Sequence, residues 1–274
     1  FDRPSAMVHA KLLNAYLVSN IGGKATEADD NGFISRVSLG GSVETLKWID
    51  GAQKKVALNA PAGLAIRGKE LYVTDLDHIR IFDLKSGRSR GKIHIPTSST
   101  LTAIAIDDRG TIYVADSGRA TEARPAGTSG AYRVTRSRKV EPLIRSAVFG
   151  RISGIVLERG VVWLTSRSAS RLYGVKADGS LIRGERQETG SLSGIVKTQN
   201  DNVLVASSSG RKIYAGPIGG PFEEVLAGVQ WPGLLGWDPT LSRVLIPLPR
   251  INEVEIHSVK LPKLAKKKRK SRRR

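Results

Sequence analysis

Apolar residues in this chain come in short runs separated by glycine or charge. Between Pro61 and Gly87 three such runs, Gly63–Ile66, Leu71–Thr74 and Ile79–Leu84, alternate with Arg-Gly-Lys-Glu, Asp-Leu-Asp-His and Lys-Ser-Gly breaks. β-Branched and aromatic residues dominate each run, and the breaks are too short for a helix. The stretch reads as an antiparallel meander. Its opening, a small residue followed by an aliphatic one, returns as Gly63-Leu64, Ala103-Ile104, Gly154-Ile155, Gly194-Ile195 and Gly233-Leu234, in steps of 40, 51, 40 and 39 residues. A second marker keeps the same spacing: Leu71-Tyr72-Val73, Ile112-Tyr113-Val114, Val162-Trp163-Leu164, Val203-Leu204-Val205 and Val244-Leu245-Ile246, with Tyr16-Leu17-Val18 as a sixth copy.

Two markers with one period near 40 residues predict a repeat of four short strands, which is the unit of a β-propeller. Six copies predict an all-β, six-bladed β-propeller of four-stranded antiparallel blades. Residues 1–262 form this one domain and 263–274 a basic, disordered tail. In blade 1, Met7–Ala10, Tyr16–Ser19, Phe33–Val37 and Val43–Trp48 supply strands a to d. Blade 3 carries an insertion between Asp116 and Tyr132 that accounts for the long step. Blade 6 lacks an evident fourth strand, a place that Leu261–Leu264 could fill. Trp48, Trp163, Trp231 and Trp237 are expected in blade packing.

No apolar run approaches the length of a membrane span, and the absence of cysteine excludes disulfides and thiolate chemistry. Charge changes the picture more. Lys and Arg number 44 against 25 acids, a net +19, of which nine cations fall in Lys263–Arg274; the first 262 residues keep +10. Such a tail predicts salt-sensitive contact with phosphate-rich polymers or an anionic surface. No aromatic lies among its cations, so base stacking and specific nucleic-acid binding are not indicated. The propeller itself is expected to be a monomer.

The runs Ala15-Tyr-Leu-Val-Ser-Asn-Ile-Gly-Gly, Asp30-Asn-Gly-Phe-Ile-Ser-Arg-Val, Leu58-Asn-Ala-Pro-Ala-Gly-Leu-Ala, Leu71-Tyr-Val-Thr-Asp and Ile112-Tyr-Val-Ala-Asp-Ser-Gly resemble the gluconolactonase and regucalcin-like propellers of bacteria, over about residues 4–258. The resemblance implies a calcium-dependent lactonase or esterase-type hydrolase, its ion held on the propeller axis by carboxylate and Asn side chains at the starts of the inner strands. At the matching positions this chain has Ser5, Ala62, Thr102, Ser153, Ser193 and Pro232. A hard cation needs several oxygen donors, some of them charged. The sequence therefore predicts no metal and no cofactor, and Ser5, Thr102, Ser153 and Ser193 become candidate ligand-binding residues of an axial channel. The resemblance, with Phe1 standing where an initiator Met would, implies an exported periplasmic or secreted protein whose signal peptide has been removed.

Other chemistry is sparse. His9, His78, His94 and His257 are assigned to different blades without ligand spacing and read as ordinary surface or strand histidines. The acidic Asp29-Asp30-Asn31-Gly32 lacks the spacing of a calcium loop and reads as a turn. Asp75 and Asp116 end second strands, where each carboxylate is expected to accept N–H groups of the following turn. Five arginines, Arg119, Arg124, Arg167, Arg211 and Arg250, fall in connections between second and third strands, on the face where the inner strands begin. They predict an anion-attracting rim. A binding or interaction module for an anionic ligand or polymer is thus preferred over the hydrolase, and no catalytic residue is assigned.

Overall fold

The apolar runs become strands where the repeat places them. The computed structural model describes residues 1–120, 127–186, 190–199 and 201–263; Arg124 and the tail beyond Lys263 lie outside the described residues. Blade 1 comprises β1 (Pro4–Ala10), β2 (Ala15–Asn20), β3 (Phe33–Ser38) and β4 (Val43–Asp50). Blade 2 comprises β5 (Pro61–Arg67), β6 (Glu70–Asp75), β7 (His78–Asp83) and β8 (Ser89–His94). Blade 3 follows with β9 (Leu101–Ile106), β10 (Ile112–Asp116), β11 (Gly130–Val134) and β12 (Val140–Arg145). Blade 4 has β13 (Ile152–Glu158), β14 (Val161–Ser166), β15 (Arg171–Val175) and β16 (Leu181–Arg186). Blade 5 has β17 (Leu192–Lys197), β18 (Asn202–Ser207), β19 (Lys212–Pro217) and β20 (Glu223–Ala227). Blade 6 closes the series with β21 (Gly236–Asp238), β22 (Arg243–Leu248) and β23 (Glu253–Ser258). Each blade is an antiparallel meander in chain order; five have four strands, and three are paired in the sixth.

Burial follows from position in the ring. Second strands lie between neighbouring blades, so β2 and β18 are buried at every residue. Outer strands face solvent, and β4 and β8 are mostly exposed. Six apolar clusters fill the seams between successive blades, from Leu17, Ile34 and Leu71 between blades 1 and 2 to Met7, Tyr16 and Leu245 between blades 6 and 1. The last seam shows that the ring is closed. It also holds a buried polar clasp. Tyr16 on β2 donates to Asp238 on β21, and His9 Nδ1 on β1 lies 3.3 Å from the same carboxylate.

Leu261 does not supply a fourth strand to blade 6. It packs with Val259 on the apolar cluster shared by blades 5 and 6, and Asn202 Nδ2 donates to the carbonyl of Pro262. Trp163 and Trp237 are buried in seams and Trp48 packs against one. Trp231 departs from the expected pattern: its ring lies under the guanidinium of Arg250, 3.6 Å from ring centroid to Cζ.

The recurring small residue at the head of each inner strand has a steric cause. A Cβ on Gly63 would lie 2.6 Å from the Thr102 carbonyl oxygen of the next blade, and one on Gly194 would lie 2.4 Å from that of Gly233. The backbones of adjacent inner strands approach too closely there for a side chain. Five inner strands also slip register against their partners at this level, between Pro4 and Ala6, Pro61 and Leu64, and Ile152 and Ile155 for example. The bulges turn residues 5, 62, 102, 153 and 193 toward one cavity.

Candidate functional site

The cavity lies where the inner strands begin and holds about 200 Å³. Ser5, Ala62, Thr102, Ser153 and Ser193 all line it, one from each of the first five blades. The structure brings these five positions together. Their hydroxyls, however, are mostly committed to neighbouring backbone. Ser193 Oγ donates to the Pro232 carbonyl (2.7 Å), Ser153 Oγ to that of Ser193 (2.8 Å), and Thr102 Oγ1 to that of Ala115 (3.3 Å). Behind them Ser19, Thr74 and Thr165 bond the inner strand of the next blade through the carbonyls of Ala62, Thr102 and Ser193. These side chains are staples between blades; Ser5 has no side-chain hydrogen bond among the described residues.

Asp75 and Asp116 do not face the cavity. Both are fully buried, and their donors come mainly from the chain entering the inner strand rather than from the turn that follows. Asp75 accepts from the N–H groups of Asn59 and Ala60 and pairs with Arg80 Nε at 2.8 Å. Asp116 accepts from Ser99, Thr100 and, as the one turn donor, Gly118. Asn20 and Ser166 end the second strands of blades 1 and 4 with similar latches, to Asp2 N–H and the Phe149 carbonyl.

The charge at the cavity comes from arginine. Of the candidate arginines, Arg119 and Arg167 line it, and so does Arg151, which was not among the candidates. One position at this level explains the pair. The residue after a second strand donates its N–H to the carbonyl of the residue before the inner strand, as Ser117 does to Thr100 and Ser208 to Ser191. In blade 4 the same bond, 2.9 Å long, joins Arg167 to Arg151. Two cations thus occupy facing positions that carry hydroxyls in blades 3 and 5. Like charges directly opposed in a sheet are unfavourable. Arg211 is exposed and does not line the cavity, so it leaves the rim. Arg250 is exposed too, but stays near enough to act on Arg167 electrostatically.

Arg167 is the most perturbed of the set. Burial, followed by the guanidiniums of Arg151, Arg250 and Arg119, pushes its pKa below the ordinary arginine value. Its Nε is buried without a hydrogen-bond partner. Arg80, Arg90, Arg133 and Arg159 each pair with a carboxylate; the four arginines at this mouth have no ion pair among the described residues. Among the described residues the lining includes no Asp, Glu, Asn or His. Apolar walls come from Ile21, Leu101, Ile152 and Leu234.

This residue set does not fit a hard cation such as calcium. Apart from Ser5, its hydroxyls already serve backbone carbonyls, and the nearby charge is positive. The histidines need a different correction. His78 and His94 share blade 2, as register partners on β7 and β8, with rings stacked at 4.8 Å. His9 lies in the ring-closing seam and His257 pairs with Glu255 on β23.

Several solved structures share this architecture. A streptogramin B lyase matches with a TM-score of 0.62 at 12% identity, over 95% of this chain and 84% of that one. Selenomethionine-substituted virginiamycin B lyase from Staphylococcus aureus matches at 0.58 and 15% identity, over 94% and 85%. A catalytically inactive variant of the Staphylococcus aureus lyase with quinupristin matches at 0.60 and 16%, over 93% and 83%. These likenesses define the chain as a six-bladed β-propeller. No protein-family model matches it, and no curated protein sequence does.

Proposed function

We propose that this propeller is a binding module that takes an anionic group at the mouth of its axial cavity, without a metal. The observation that carries the reading is Arg167, a largely desolvated guanidinium with an unpartnered Nε, surrounded by like charge and joined to Arg151. A buried cation without a counter-charge is costly. A phosphate, sulfate or carboxylate would supply that counter-charge, and guanidinium geometry suits such oxyanions. The apolar walls favour an anion attached to an organic body over a bare inorganic ion.

The scaffold relationship to gluconolactonase-like propellers is kept in this reading, and their calcium-dependent hydrolysis is not, because the axial residues among those described offer no carboxylate or amide. An exported location suits a basic binding module, and the basic tail would add salt-sensitive attraction to anionic polymers or surfaces.

The test is thermal melting of the full chain and of Arg167→Gln in citrate, tripolyphosphate and chloride at matched ionic strength. A ligand that binds only the native state raises its melting temperature. The oxyanions should stabilise the parent chain and lose most of that effect in the variant. Equal stabilisation of both proteins would reject the site, since the tail is common to the two.

A further inference from the structure

Away from the cavity, blade 2 places three side chains with ligating atoms around one point. Asp77, in the turn between β6 and β7, extends one carboxylate oxygen to His78 Nδ1 at 2.6 Å and the other to His94 Nε2 at 3.3 Å. One potential ligand atom from each residue falls within 4.8 Å of the other two. The two imidazoles come from adjacent strands in register and stack with an interplanar angle of 27°. All three are partly accessible, with His94 the most open, so an ion could reach them from solvent.

From this geometry we propose that Asp77, His78 and His94 form a binding site for a divalent transition-metal ion of the zinc type. The donor set is two imidazole nitrogens and one carboxylate oxygen, a combination that suits borderline ions and leaves a fourth tetrahedral position for water. Calcium and magnesium, which favour all-oxygen shells, are poor matches. The carboxylate now hydrogen-bonds the His78 ring through one oxygen and lies 3.3 Å from His94 Nε2 through the other. Binding would put the ion where the proton between His78 Nδ1 and Asp77 now lies; on the neutral imidazole that proton passes to the other ring nitrogen by exchange with solvent, while the carboxylate moves from hydrogen-bonding to coordinating distance. The ligands are held on a strand pair and its turn: the Asp77 backbone carbonyl accepts the Ile95 N–H, and the Leu76 carbonyl accepts that of Leu101.

Arg80 and Lys92, the register pair two residues along the same strands, bring positive charge close to the site. Arg80 is largely neutralised by Asp75. The arrangement is independent of the anion site, and neither requires the other.

Isothermal titration of the EDTA-treated full chain with zinc should show one ion bound per chain, with calcium giving no comparable heat. His94→Ala should weaken zinc binding on the order of tenfold or more. His257→Ala, which removes a histidine outside the cluster, should leave it unchanged. His94 is partly exposed, and equal melting temperatures of His94→Ala and parent in EDTA would confirm an intact fold; His78→Gln provides a second variant. Absence of a one-to-one zinc event, or equal affinity in parent and His94→Ala, would overturn the assignment.

Discussion

Tyr16 and Asp238 meet across the seam where the last blade returns to the first, joined by a buried 2.7 Å hydrogen bond although 222 residues separate them. Asp238 also accepts the N–H groups of Thr240 and Leu241, so one carboxylate organises the turn into β22 and clasps blade 1. Burial, then the bond to Asp238, pushes the Tyr16 pKa up to about 12. Tyr16→Phe keeps the ring and removes the clasp. It should cost roughly 1.5–3 kcal/mol, as for a hydrogen bond to a charged group, read as a lower urea midpoint with an unchanged slope.

The same carboxylate should make ring closure acid-sensitive. Burial alone would raise the Asp238 pKa, but the bonds from Tyr16, Leu241 and Thr240, aided by His9, hold it below the ordinary carboxylate value. A carboxyl depressed in the folded state adds stability above its unfolded pKa of about 4 and loses it as pH falls through the folded value. The stability gap between parent and Asp238→Asn should therefore be full at neutral pH and shrink below about pH 4. A gap that is constant down to pH 3 would contradict this linkage.

Arg167 should act against stability when no anion is present. Replacing it with Met keeps an apolar stem and removes a desolvated cation facing Arg151. The melting temperature in low-salt chloride buffer should rise, by on the order of 1 kcal/mol or about 2–4 °C in a chain of this length. Unchanged or lower stability would indicate that the guanidinium is already compensated.

The staples between blades predict a contrast between a residue behind the cavity and one that lines it. Thr165 Oγ1 accepts the Gly154 N–H and donates to the Ser193 carbonyl, both at 2.7 Å. Thr165→Val strands both groups and should destabilise by about 1–3 kcal/mol. Ser5→Ala breaks no side-chain bond and should fall within about 0.5 kcal/mol of the parent. Denaturant unfolding of the two variants checks the contrast.

Two glycines should separate close approach from backbone conformation. Gly194→Ala forces a Cβ to within 2.4 Å of backbone and should cost more than about 3 kcal/mol or prevent folding. Gly228 has a φ of +79° but nothing within 4 Å of the added carbon, so Gly228→Ala should cost about 1–2 kcal/mol. Soluble yield and melting temperature would distinguish them.

The repeat was legible in the sequence because a blade is a local object. Alternating apolar runs such as Leu71–Thr74 specify strands, and the steric demand at Gly63 and Gly194 recurs once per period and leaves its mark on composition. The sequence also determined that the axial positions lack carboxylates, since that follows from residue type once the period is known. Only the tertiary structure decided how the site is used. Arg151 precedes an inner strand while Arg167 follows a second strand, and a backbone hydrogen bond across blade 4 makes them one pair. Ser153 and Ser193 appear free in a linear reading because their acceptors lie in the next blade. His78 and His94, Tyr16 and Asp238 were likewise separated in sequence and joined by register or ring closure. Strand formation depends mainly on neighbours along the chain; electrostatics and hydrogen bonding depend on neighbours in space, and in a propeller many of those come from another blade.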